Sequence, residues 1–119
     1  MYPTPFTPLF NNLGVGAIEM AAPTVISAST TASAVTALPG NPLGMVDNTV
    51  IAIENTTNGW AFCNLGDANV AAATLNNGVG VPPGAVRLVN VQPTTGYVSV
   101  ILNTGATSGA VRFLRGSGT

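Results

Sequence analysis

TVIAIENTTNGWAFCNLG, the stretch from Thr49 to Gly66, decides the fold. Two apolar runs, Val50 to Ile53 and Trp60 to Cys63, flank the polar segment Asn55-Thr56-Thr57-Asn58-Gly59. β-branched and aromatic residues on both sides of an Asn-Gly predict a β-hairpin, because those two residues accept the positive φ of a tight turn. Side chains along a strand alternate between two faces. On the second strand, Trp60 and Phe62 fall on one face and Ala61, Cys63 and Leu65 on the other. Neither face is polar. Such a strand is expected to be covered on both sides, by its own second sheet and by something else.

Outward from this stretch the pattern stays β-like. TVISAST (24–30) and ASAVTAL (32–38) are rich in β-branched residues and end at the breaker cluster Pro39-Gly40-Asn41-Pro42. Residues 45–54 precede the Asn-Gly turn and 60–65 follow it. ANVAAATL (68–75) is short and lies between Gly66-Asp67 and Asn76-Asn77-Gly78, so it reads as a strand rather than a helical turn. Val81-Pro82-Pro83-Gly84 is a rigid connection, and AVRLVNV (85–91), GYVSVILN (96–103) and GAVRFLRG (109–116) complete the series. About eight short strands separated by regular turn signals predict an all-β, antiparallel sandwich, jelly-roll or Greek-key in topology. No segment shows the spacing of an amphipathic helix.

Residues 1–20 are expected to form an extended N-terminal arm, and residues 21–119 the sandwich domain. Pro3, Pro5 and Pro8 alternate with Tyr2, Phe6, Leu9 and Phe10. Proline at that density excludes a helix and removes ladder donors. The apolar side chains between the prolines are costly to leave in water, so the arm is expected to dock in a groove. Tyr2, Phe6, Leu9, Phe10 and Trp60 are the candidate interface residues.

Charged residues make up 6% of the 119-residue chain, against roughly 25% in typical soluble domains. They are Glu19, Asp47, Glu54, Asp67, Arg87, Arg112 and Arg115. So little charge gives weak self-repulsion, which points to a chain that spends its time in an assembly. Three arginines and a net charge of −1 argue against nucleic acid as a partner. No apolar run is long enough for a membrane helix, and the N-terminus lacks the basic region of a cleaved signal peptide.

The residues for most catalytic chemistry are missing. With no His and one Cys, the chain cannot build a Ser-His-Asp or Cys-His arrangement or the usual zinc sites. The four carboxylates lie far apart in sequence, so Glu54 and Asp67 are expected in ion pairs or turn hydrogen bonds. Gly14-Val-Gly16 and Gly78-Val-Gly80 precede no helix and read as turn glycines rather than phosphate loops. Cys63, in mid-strand, reads as a small core residue. Asn55-Thr56-Thr57 fits the glycosylation pattern, but turn hydrogen bonding explains the same residues. The expectation is a non-enzyme without cofactor or metal.

The order of segments APTVISASTTASAVTALPG, VIAIENTTNGWAFCNLGDANVAAAT, VPPGAVRLVNV and GYVSVILNTGATSGAVRFLRGSG resembles small virion proteins of tailed bacteriophages. The resemblance covers about residues 22–119 and rests on turns: Asn55, Trp60 to Asp67, Pro83-Gly84 and Gly116 to Gly118. It implies a β-sandwich that binds the outside of a capsid as a decoration or cement protein, with the major capsid protein as partner and the virion surface as location. It also implies a homo-oligomer, with a trimer favoured on local threefold junctions and a dimer as the competitor. The alternative within the same group is a head-fibre or tail-associated module recognising a host-surface glycan.

Overall fold

The structure, a computed structural model, describes residues 6–8, 10–12, 18–20, 22–39 and 49–117. The elements, in chain order, are all strands: β1 (Thr7–Pro8), β2 (Phe10–Asn12), β3 (Ile18–Met20), β4 (Thr24–Ala28), β5 (Thr36–Ala37), β6 (Val50–Asn55), β7 (Ala61–Gly66), β8 (Val79–Val81), β9 (Val86–Asn90), β10 (Tyr97–Leu102) and β11 (Gly109–Ser117). Among the described residues there is no helix.

Eight of these strands, β4 to β11, form two packed antiparallel sheets. In the first the order is β4-β11-β6-β9, and β1 joins β11 beyond the end of β4. In the second it is β5-β10-β7-β8. β4 pairs with β11, β5 with β10, β6 with β9 and β7 with β8. The chain is thus one long hairpin with its tip at β7–β8, wrapped so that alternate pairs fall in opposite sheets. That winding is a jelly roll, which resolves the topology the sequence left open. Among the described residues, β2 and β3 pair only with each other.

Alternation along the strands builds the core as the sequence implies. Ile26, Ala28, Ile51, Ile53, Val111 and Phe113 face inward from the first sheet, and Ala61, Cys63, Val81, Val98, Val100 and Leu102 from the second. Cys63 is fully buried, and burial pushes its thiol pKa up to about 12, as suits a core residue rather than a nucleophile.

Three expectations are corrected. β6 and β7 are not a hairpin: β6 lies between β11 and β9 in one sheet, and β7 between β10 and β8 in the other. Residues 56–60 form an arch between sheets. The reason is the Asn55 side chain, which is buried and turned into the arch. Its Nδ2 donates to the carbonyls of Gly59 (2.8 Å), Val81 (2.9 Å) and Pro82 (3.2 Å), while its Oδ1 accepts from Thr57 N–H (3.0 Å) and Thr57 Oγ1 (2.7 Å). Gly59 is absent from the glycines with positive φ. Space is what requires glycine there, since a Cβ would collide with Asn103 Oδ1 and come within 2.5 Å of Ala106 Cβ.

The second correction concerns 68–75, which is not a strand. It lies in a segment of turns across the outer face of the second sheet, with Ala73 buried against Ser99. Alanines there offer little for a pleated ladder, and polar groups of Ser99, Asn64 and Asn77 take their backbone bonds instead. The eighth strand is β8, so Gly80 is a strand residue and not a turn glycine. Third, the stretch 32–38 contributes only β5, because Ser33 and Thr36 bond locally or to β10 rather than extend a ladder.

Candidate interaction surface

The described residues bring together no group of three or more His, Cys, Asp or Glu side chains. Glu54 meets Arg112 at 2.9 Å on the outer face of the first sheet, and Asp67 accepts the Asn69 N–H at 2.8 Å in a turn. Both are the structural roles expected from sequence. Asn55 is 1% exposed and committed to the arch, so its glycosylation pattern is a turn signal. Arg115 is the unexpected charge. It is 2% exposed at the end of the sandwich, where Nε donates to Pro39 O at 2.7 Å and Nη2 to Thr95 O. Burial lowers its pKa from the ordinary value.

Two surfaces have the composition of binding faces. The first is the outer face of the first sheet. Register places Val25, Arg112, Glu54 and Val86 in one row across four strands, and Leu114, Ala52 and Leu88 in the next. Val86 is 62% exposed, Val25 55% and Leu88 38%, so one ion pair sits amid open apolar side chains. This face ends at β9. Leu65, Val89 and Val91, with Asn90, Gln92 and Thr95, line a cleft of about 340 Å³ beside that strand.

The second is an aromatic ledge on the outer face of the other sheet. Trp60 is 44% exposed and stacks with the half-buried Phe62 at 6.5 Å between ring centres, 21° between planes. Gly80 lies opposite Phe62 in register, and both rings lie close to it. A Cβ there would already meet Trp60 and Phe62 at 3.4–3.5 Å. Beside it, Arg87 on β9 reaches across the sandwich edge and donates to Gly80 O at 3.0 Å.

Of the candidate residues, Trp60 is on this ledge, Phe6 is half-buried and Phe10 begins β2. Tyr2 and Leu9 lie outside the described residues. The β9 face was missed because strand pattern does not distinguish an edge from a centre. Its only sequence signal is the proline on either side, at Pro82-Pro83 and Pro93.

The fold and its surfaces define a charge-poor jelly roll with apolar outer faces. Compared with protein-family models, with curated proteins and with solved structures, the chain matches none.

Proposed function

We propose that this chain is a structural virion protein that binds the outside of a phage head, contacts the major capsid protein and cements the shell as a homo-oligomer. The observation that carries the reading is the exposure of Val25, Val86 and Leu88 on the outer face of the first sheet, on a chain with 6% charged residues. Apolar area of this kind is stabilised by a partner surface. A protein that binds only the assembled shell stabilises that state by its differential affinity for it, and needs no active site. Jelly rolls serve in viral capsids and in lectins alike, so the fold itself is compatible with both readings.

A second reading is a head-fibre or tail-associated module recognising a host-surface glycan. The Trp60–Phe62 ledge favours it, because an exposed indole offers a flat apolar platform to a sugar ring. Immunogold labelling of purified virions separates the two. Even labelling over the head is expected; labelling confined to the tail supports the second reading, and virions without label overturn both.

A further inference from the structure

We infer that two copies of this chain join edge to edge through β9, antiparallel about a twofold axis at Leu88, so that the first sheets of both run on as one. The inference gives the homo-oligomer of the proposed function its contact and symmetry. It rests on that oligomer and not on the capsid.

The backbone bonds show which groups of β9 are free. Val91 N–H donates to Thr49 O at 2.7 Å, and Asn55 N–H to Ala85 O at 3.0 Å. In an antiparallel ladder such bonds recur at every second residue. Residues 85, 87, 89 and 91 therefore turn their backbone groups toward β6. Val86, Leu88 and Asn90 turn theirs to the open edge, where among the described residues β9 has no second neighbour. Each of these three presents one N–H and one C=O in an extended row, which a β-strand satisfies.

Register then selects the occupant. With the axis at Leu88, Val86 faces Asn90 of the second copy and Leu88 faces Leu88, so every open group finds a partner. Arg87 lies opposite Val89, and like charges are kept apart. Moving the axis to residue 87 would set Arg87 against Arg87 and leave part of each row unpaired. Val86, Leu88 and Asn90 share the outer face with Glu54, Ala52 and Val50, so the Leu88 pair would also extend the apolar face across the junction.

Proteins blunt an edge strand with lysine, proline, bulges or brevity. β5 and β8, the edges of the second sheet, are two and three residues long. At the far edge of the first sheet, Ser29 O already accepts from Leu102 N–H at 2.8 Å, and Thr24 Oγ1 donates to Ala37 O. β9 is five residues with no proline or lysine, and its one charge, Arg87, is drawn across to Gly80. The prolines beyond both ends limit the ladder. Because an isologous contact uses the same patch on each copy, it closes at two.

The test uses the full chain alone in solution. Sedimentation equilibrium at micromolar concentration is expected to give twice the monomer mass. Hydrogen exchange by NMR is expected to show protection at the Val86, Leu88 and Asn90 amides. Leu88→Arg places like charges at the axis and should weaken the dimer at least about 100-fold. Leu88→Pro removes an edge donor that the β6 ladder does not use, and should do the same. Near-UV circular dichroism checks that both variants remain folded; if neither does, the wild-type amides decide. A monomer, a trimer, a dimer whose three amides exchange freely, or a folded Leu88→Arg that stays dimeric would each overturn the inference. None of these outcomes depends on where the protein sits in a virion.

Discussion

At the scale of single residues, Asn55 holds the turn of the fold. Its amide joins the arch to the end of β8, and all its partners are backbone or Thr57. Asn55→Ala takes the amide donor from the carbonyls of Val81 and Pro82 and leaves the buried Thr57 N–H without its acceptor. At roughly 1–3 kcal/mol for each such group, the variant should lose about 2–4 kcal/mol in urea denaturation. A loss within the range of a surface substitution would show that the arch holds without it. Cys63 gives a pH-linked prediction. Its folded pKa of about 12 lies above the ordinary value of 9.0. Between these values the unfolded chain has released the thiol proton and the folded chain has kept it. The stabilisation is therefore complete below about pH 9 and is lost as pH rises toward 12, at up to about 1.4 kcal/mol per pH unit. Comparing Cys63→Ala with wild type over that range isolates this slope. A steady difference between the two would contradict the buried thiol.

At the scale of elements, Ser99 does for the second sheet what Asn55 does for the arch. It points outward from β10 yet is fully buried, because segments from two parts of the chain close over it. Its Oγ accepts Ala73 N–H at 3.0 Å and donates to Ser33 O at 2.8 Å, while Ser33 Oγ accepts Val100 N–H at 2.9 Å. Part of the cover that the two-sided apolar pattern called for is thus the chain itself. Ser99→Ala should cost about 1–3 kcal/mol, and its effect should be local. Protease cleavage and amide exchange are expected to rise within residues 67–77 before the sheets open. Uniform loss of protection across β6 and β11 would mean that this cover folds as one unit with the core.

At the scale of the whole molecule, Arg115 ties the end of the sandwich. It projects from β11 in the first sheet to carbonyls at one end of the second, after β5 and before β10, which are neighbouring strands there. Arg115→Met retains the apolar stem but removes the donors, so the loss should be about 2–4 kcal/mol. Thermal and urea unfolding should agree on a single transition of lower midpoint; an unchanged midpoint would place the tie elsewhere. The exposed ion pair of the first sheet should matter little. The Arg112–Glu54 pair has side chains 41% and 30% exposed, and such pairs contribute roughly 0–1 kcal/mol. Salt should therefore change the contribution of this pair by less than about 1 kcal/mol.

Alternation of apolar residues by itself determined the all-β class, seven of the eight sandwich strands and the place of Cys63 in the core. Side chains alternate between faces along a strand, and burial follows that period along β4, the start of β7 and most of β11, so Cys63 was legible as a core residue and Val98, Val100 and Phe113 as strand residues before any partner was known. Local pattern could not determine which strand lies beside which. The same Asn-Gly that closes a hairpin here closes an arch, because the buried Asn55 amide finds carbonyls of β8 and the following turn, some 26 residues further on. Likewise, 68–75 and β8 exchanged roles once Ser99 and Asn64 supplied side-chain partners from other strands. The open edge of β9 is visible only in the folded sheets, since a strand's free hydrogen-bonding side is defined by the neighbour it lacks.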